Sequence, residues 1–320
     1  MTAGALLALA LVAAGAPGSA LGLVGIREET RPVPDASPPR MEVTFDFLTP
    51  GGAACSKRVM LLDGPMVRGF FAEPFVYPES RDSAFLLAGD REGYRVLRIS
   101  WKTGESSGNS FLVRRDAALG PESRPVRVLQ DRFLTFDDRV ARVFDLRLEA
   151  ARKLPLARRA VDVDATRKRL YVERPEGDAT TLLYHEMDPC DPDPVIGDDP
   201  KPLLSIAERG RLERATVSPD GLRAACVFPL ESERPDAWRF LFVVADVRER
   251  VLVRRSFPGR AHDLRFVDGD RVLLAVTTGE TTVLHVVDVP ANAVRTTVLR
   301  ETYIAPPEIV PAELLPIPER

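Results

Sequence analysis

Cysteine and histidine are scarce, with three of each among 320 residues. Cys55, Cys190 and Cys226 have no zinc-ligand spacing, and an odd number of cysteines leaves one over from any set of disulfides. Cys226 lies in an apolar run and reads as a small buried hydrophobe; in an oxidising compartment Cys55 and Cys190 could pair. His185, His262 and His285 are the only histidines, so a catalytic triad would have to use one of them. H-E-x-x-H is missing, because Asp188 and Pro189 break it, and the acidic stretch from His185 to Asp193 lacks the glycine of a calcium-binding loop. Lysine is also rare: the basic residues are mostly arginine. Arg158-Arg159, Arg167-Lys168-Arg169 and Arg254-Arg255 are interleaved with acids and carry no stacking aromatics, so they read as a solvated rim and nucleic acid is not an expected partner. A net charge of −3 and 45% apolar residues describe an ordinary globular chain.

Strand signals are abundant. Between Ala215 and Phe257 they recur four times. Thr216-Val217 runs into Ser218-Pro219-Asp220-Gly221, whose proline, aspartate and glycine each favour a tight turn. The strands Leu222–Phe228, Phe240–Val247 and Val251–Phe257 follow. Phe240–Ala245 is apolar at every position, which predicts burial on both faces. One four-stranded sheet cannot cover both of its own faces, so such a unit needs a neighbour on each side. The neighbours can be found from the end of the third strand: Ser100, Asp145, Asp188, Asp246 and Asp288. The intervals are 45, 43, 58 and 42 residues. A period of about 40–45 suits a four-stranded propeller blade. Two loops, Pro189–Lys201 and Glu231–Ala237, lengthen the third interval.

Thr216-Val217-Ser218-Pro219-Asp220-Gly221 resembles the SPDG turn of TolB-type and WD40-like β-propeller repeats. Phe266-Val267-Asp268-Gly269-Asp270 and Val163-Asp164-Ala165-Thr166-Arg167 resemble weaker copies of it, and Ser100 to Glu105 resembles the turn between third and fourth strands. The likeness covers about residues 66–300. It implies an all-β fold, a β-propeller of four-stranded antiparallel blades, and it implies no single activity, because propellers host binding, transport and catalysis alike.

Five full units plus one composite unit give six blades, with five or seven as alternatives. Residues 1–20 read as a signal peptide, with an apolar run at Leu6–Ala14 and small residues near Gly18-Ser19-Ala20. An uncleaved anchor is the alternative, and no membrane span is expected in the mature chain. Residues 21–40 read as a Pro-rich linker and 41–305 as the propeller. Met41–Leu48 and Val59–Leu62 are assigned to the composite blade, with Arg300–Ala305 as its closing strand. Residues 306–320 read as a Pro-rich tail outside the fold.

No catalytic residue, metal site or cofactor is assigned. Gly104-Glu105-Ser106-Ser107-Gly108 matches G-x-S-x-G, but its setting is a hairpin, not the strand-to-helix elbow of a hydrolase. Binding candidates are Trp238, an aromatic anchor; Asp191 and Asp193, in a long acidic loop where Asp188 completes a weak divalent-cation set; and the pair His262 and Asp263, at the start of an inner strand. The function read from this is an exported, non-enzymatic scaffold that recognises a protein or peptide through its long loops. The alternative is a hydrolase or lyase site in the channel, built from Asp162, Thr216, His262 and Asp263. Convergence of those side chains is what would separate the two readings.

Overall fold

The computed structural model describes residues 21–27, 31–32, 40–63, 75–89, 93–102, 105–114, 124–129, 132–136, 139–145, 150–230, 238–279, 281–300, 303 and 307–316. The segment read as a signal peptide and the loop 231–237 lie outside them. No helix among the described residues is long and apolar enough to cross a membrane.

In chain order the strands are β1 (Leu21–Ile26), β2 (Arg31–Pro32), β3 (Arg40–Leu48), β4 (Ala54–Asp63), β5 (Phe75–Pro78), β6 (Ser83–Gly89), β7 (Gly93–Ser100) and β8 (Glu105–Arg114). Then come β9 (Arg124–Leu129), β10 (Arg132–Phe136), β11 (Val140–Asp145), β12 (Ala150–Pro155), β13 (Ala160–Asp164), β14 (Arg169–Glu176), β15 (Ala179–Glu186) and β16 (Lys201–Ile206). The last are β17 (Arg214–Val217), β18 (Arg223–Leu230), β19 (Arg239–Asp246), β20 (Val251–Pro258), β21 (Arg260–Phe266), β22 (Arg271–Thr278), β23 (Thr281–Asp288), β24 (Ala293–Val298) and β25 (Glu308–Pro311).

They form six antiparallel four-stranded blades. Blades 1 to 5 are β5–β8, β9–β12, β13–β16, β17–β20 and β21–β24, and blade 6 has the order β25-β1-β3-β4. A single parallel pair, Leu61 opposite Glu105, joins the outer strands of blades 6 and 1. The third strands end at Ser100, Asp145, Glu186, Asp246 and Asp288, which matches the periodic landmark of the sequence except in blade 3, where the strand stops two residues before Asp188. Ser106 pairs with Ile99 within the β7–β8 hairpin, so residues 105–108 of the G-x-S-x-G match lie in a strand of the hairpin that its setting implied.

The apolar third strand of blade 4 shows why the blades need one another. Side chains alternate between sheet faces. Phe240, Phe242 and Val244 pack with Leu264, Phe266 and Leu274 of blade 5. Leu241, Val243 and Ala245 pack with Tyr171, Leu182 and Leu204 of blade 3. Similar clusters join blades 2 and 3, 5 and 6, and 6 and 1.

Blade 6 corrects the sequence reading in three places. Its closing strand is Glu308–Pro311; of the segment Arg300–Ala305 read for that place, Tyr303 makes a single bridge to Arg27. Leu21–Ile26, assigned to a linker, is instead its second strand, and residues 308–311, assigned to a free tail, form its inner edge. Prolines misled the reading of the tail. Pro311 has no N–H to donate, but an edge strand pairs on one side only and tolerates this. Ile309 and Val310 are buried. The glycines of Leu-Gly-Leu-Val-Gly-Ile make room for the returning chain: a Cβ on Gly22 would lie 2.4 Å from Leu315 Cδ1, and one on Gly25 2.4 Å from Tyr303 Cε1. Arg27 fastens the end of β1 by donating from Nε at 2.5 Å and Nη2 at 3.1 Å to the buried Asp46 carboxylate, which the Tyr303 hydroxyl also approaches at 3.4 Å.

The cysteine pairing is overturned as well. None of the three cysteines is in a disulfide. Cys55 belongs to blade 6 and Cys190 follows the third strand of blade 3, half a ring away, whereas a disulfide needs Cα atoms within about 7 Å. Cys226 is buried, as expected, and burial pushes its thiol well above the ordinary range.

Candidate functional site

Strand parity assigns every connection to one of two faces. Turns between first and second strands share a face with those between third and fourth. Connections from one blade to the next share the other face with those between second and third strands. Pro189–Lys201 and the connection containing Trp238 therefore lie on opposite faces, so the two long loops proposed together as contact surfaces do not meet.

On the Trp238 face a cavity of about 280 Å³ opens among blades 3, 4 and 5. Three blade-edge segments build it: Arg159 before β13, Arg211 to Glu213 before β17, and Gly259-Arg260 at the start of β21, with Pro229, Leu230, Trp238 and Arg239 from the second-to-third connection of blade 4. Its floor is held by the buried Glu173. The Glu173 carboxylate accepts from Arg159 Nη1 at 3.1 Å and from the Leu212 N–H at 2.7 Å, with Arg211 Nε at 3.8 Å. Arg159 also donates to the Leu212 carbonyl. Leu212 is fully buried, so the connection before β17 is pinned to blade 3. One wall is Trp238, 42% exposed. The Gly259 N–H donates to the Trp238 carbonyl at 2.7 Å, and the Arg260 guanidinium lies 5.2 Å from the indole centroid, within cation–π range. Arg260 Nε donates to Glu213 at 3.2 Å.

His262 and Asp263 sit on the inner strand β21, and the structure brings other charged groups to them. Arg214 Nε of β17 donates to the His262 carbonyl at 3.1 Å. Arg265 Nη1 lies 3.0 Å from the Asp263 carboxylate. Glu308, on the closing strand β25, feels Asp263, Arg265 and Arg214 together. Its residue surface is partly exposed along the ring, but its carboxyl is enclosed. That burial, reinforced by Asp263 and opposed by Arg265 and Arg214, pushes its pKa up to about 8. Asp162 and Thr216 are buried on the inner strands of blades 3 and 4. His285 is a packing residue: it stacks on Phe257 at 4.5 Å and its Nδ1 meets Thr296 Oγ1 at 2.9 Å.

Asp191 and Asp193 lie on the opposite face beside a second, more open depression with Arg167, Lys168, Asp188 and Val195. Asp188 bridges Lys168 Nζ at 2.7 Å and accepts from the Cys190 N–H at 3.0 Å. Asp191 Oδ1 accepts from the Asp193 N–H at 2.8 Å, and Asp193 faces Arg152 at 3.6 Å. Among the described residues these carboxylates form no group suited to a metal ion; they cap and brace their own loop.

The five binding candidates thus occupy three places: Trp238 on one face, Asp191 and Asp193 on the other, His262 and Asp263 on the ring between. Sequence reasoning missed Glu308, lost in the supposed tail, and Glu173, Arg159, Arg211 and Arg260. One signal was available for the arginines: they recur at the corners where the chain enters an inner strand.

No family model and no curated protein sequence matches this chain. Among solved structures, TolB from Acinetobacter baumannii is 12% identical, with a match covering 92% of this chain and 67% of that one at a TM-score of 0.52. A putative 6-phosphogluconolactonase from Bacteroides fragilis is 10% identical over 92% of this chain and 98% of its own, at a TM-score of 0.50. The WD40 domain of SCAP from fission yeast is a looser match, 11% identical over 78% of this chain and 67% of that one, with a TM-score of 0.36. Taken with the six blades, the likeness to TolB shows that the chain has a β-propeller fold.

Proposed function

We propose that the protein is an exported, non-enzymatic propeller scaffold that holds a protein or peptide partner on its Trp238 face. The carrying observation is the cavity beside Trp238, whose walls come from three blades and whose floor is pinned by Glu173. A site fixed by a rigid frame orders few side chains on binding, which keeps the entropic cost of association low. Exposed tryptophan and arginine beside apolar residues are the side chains that dominate binding energy at protein interfaces. The uncharged start of the sequence, residues 1–26, supports export.

The test is selection of random linear peptides displayed on phage against the purified chain from residue 21. Enrichment of peptides that Trp238→Ala fails to bind, and that Asp193→Ala on the opposite face still binds, is the expected result. No enrichment, or enrichment untouched by Trp238→Ala, would overturn the reading.

One observation favours a second reading, acid–base chemistry in the channel: Glu308 holds its proton near neutrality beside Asp263. This reading requires a hydrolase or lyase turnover that Glu308→Gln abolishes and Trp238→Ala leaves intact.

A further inference from the structure

We propose that two copies of the chain pair through strand β24, antiparallel about a two-fold axis at Thr296, so that the fifth blades of both copies join in one continuous sheet. The outer strand of a blade is an open edge, and its unpaired N–H and C=O groups are a template for another strand unless the edge is blunted by charges, prolines or bulges. The other outer strands are blunted in these ways. β12 carries Arg152, Lys153 and Pro155, and β16 carries Lys201 and Pro202. β20 carries Arg254, Arg255 and Pro258. β4 carries Lys57 and Arg58 and meets β8 at its parallel bridge. A register shift also interrupts the pairing of β4, β8, β16 and β20 with the strand inside each. β24, Ala-Val-Arg-Thr-Thr-Val, has a single charge at Arg295, no proline and an unbroken register against β23. Among the described strands none pairs with its outer side.

The backbone decides which groups that edge offers. The Leu299 N–H donates to the Thr282 carbonyl at 3.0 Å, and hydrogen-bonded pairs alternate along an antiparallel ladder. Ala293, Arg295 and Thr297 therefore turn their N–H and C=O groups inward to β23, and Val294, Thr296 and Val298 turn theirs outward. All three outward residues are β-branched, and the set reads the same in both directions: valine, threonine, valine. A second copy requires that palindrome, because a two-fold interface must complement itself. With Thr296 on the axis, Val294 of one copy lies opposite Val298 of the other, and threonine lies opposite threonine, a favourable cross-strand pair. Each such pair exchanges two backbone hydrogen bonds. On the other face of the sheet Arg295 lies opposite Thr297 and not opposite its own copy. Val298 is 58% exposed and Thr296 is exposed, so the edge is accessible. The contact is a narrow strip, and small interfaces make weak, transient pairs, so the dimer forms as concentration rises.

Sedimentation velocity on the purified protein over a concentration series tests for the pair. The sedimentation coefficient should rise with concentration. Thr296→Lys, which sets two ammonium groups against each other on the axis, should weaken association at least tenfold, and the exposed substitution Val298→Lys should weaken it too. Cross-linking reads the register. In a Cys55→Ser parent, which lacks the exposed native thiol, Thr296→Cys should give a disulfide-linked dimer on mild oxidation. A hydrogen-bonded antiparallel pair sets its Cα atoms about 5.5 Å apart, within disulfide reach. The parent alone and Ala293→Cys, which lies off the axis, should not cross-link. Thermal unfolding of each variant checks that the fold is kept. A monomer at every concentration would overturn the proposal. So would association that both lysine variants leave unchanged, or cross-linking at Ala293→Cys as efficient as at Thr296→Cys, since either puts the contact elsewhere. A monomeric protein whose selected peptides are lost with Val298→Lys would assign the edge to a peptide strand and overturn the second copy as its occupant.

Discussion

The two faces of the ring use the same residue, arginine, in different ways. On the face of the SPDG turn, arginine ties neighbouring blades together. Arg167 donates to the Pro219 carbonyl of the next blade's turn, and Arg223 donates to the Gly269 carbonyl and the Asp270 carboxylate of the blade after it, both at 2.5 Å. The turns beneath are capped from within. Ser218 Oγ accepts the Arg223 N–H at 3.0 Å. Asp246 Oδ1 accepts the N–H groups of Arg248 and Arg250, each at 3.0 Å, and Asp268 Oδ1 those of Asp270 and Arg271. On the Trp238 face arginines line a cavity, with Arg159 bonded to the Leu212 carbonyl and Arg260 to Glu213, and an indole stands in solvent. One face is tied shut across its turns, and the other sets an exposed aromatic side chain beside a cavity.

The largest effect should come from the point where the open face is anchored. Glu173→Ala takes the buried carboxylate from the half-buried Arg159 and from the Leu212 N–H and frees the connection before β17; each lost bond to that charge should cost about 1.5–3 kcal/mol, read by urea unfolding. A loss under about 1 kcal/mol, the range of exposed pairs, would mean that Glu173 does not hold the floor.

Next comes Glu308, on the ring between the faces. Its folded pKa is raised from 4.5 to about 8. Below the unfolded value both states hold the proton and Glu308 costs nothing. As pH rises between the two values the unfolded chain releases its proton first, so stability falls, on the order of a few kcal/mol by pH 8. Glu308→Gln should therefore stabilise the chain at pH 8.5 and change little at pH 4. Equal effects at both pH values would refute the enclosed carboxyl. The turn carboxylates run the opposite way. Burial raises Asp268, but its bonds from Arg271 and the backbone outweigh this and lower its pKa, and Asp246, bonded to Arg250, is lowered too. Their contribution is present above the unfolded aspartate pKa and is lost as pH falls through the depressed folded values.

On the closed face, Ser218→Ala removes a buried hydroxyl and should cost about 1–3 kcal/mol by leaving backbone groups unsatisfied. The smallest effect on stability sharpens the contrast most: Trp238→Ala should stay within about 0.5 kcal/mol of wild type while abolishing peptide binding.

How much of this could be read from the sequence depended on which physical signal each part carries. Blade 4 was legible because β19 is apolar on both faces and its first turn is a serine–proline–aspartate–glycine sequence. The weaker copies keep the geometry and change the residues. In blade 3, Lys168 takes a left-handed φ of 53° where blade 4 has Gly221, and its N–H still donates to the Ala165 carbonyl. Blade 6 was half legible, since β3 alternates clearly, whereas β1 and β25 are short and rich in glycine or proline, and β25 joins the blade only by pairing with β1 from the far end of the chain. The inter-blade ties could not be read at all: Arg158-Arg159, Arg167-Lys168-Arg169 and Arg254-Arg255 look like a solvated rim, yet Arg159, Arg167, Arg254 and Arg255 bond Leu212, Pro219, Glu208 and Asn292. Long-range partners leave no local mark. The face on which each loop lies was recoverable by counting strands.

The two tryptophans permit the most direct test of the binding face. Trp101 is buried, its ring 5.2 and 5.1 Å from those of Phe45 and Phe47, and Trp238 is exposed. Acrylamide should quench the Trp238 fraction of the emission in the free protein and lose that access when a selected peptide saturates the site, with a blue shift that Trp238→Ala abolishes. Unchanged quenching in the presence of a saturating, tightly bound peptide would place the partner elsewhere and contradict the assignment of this face.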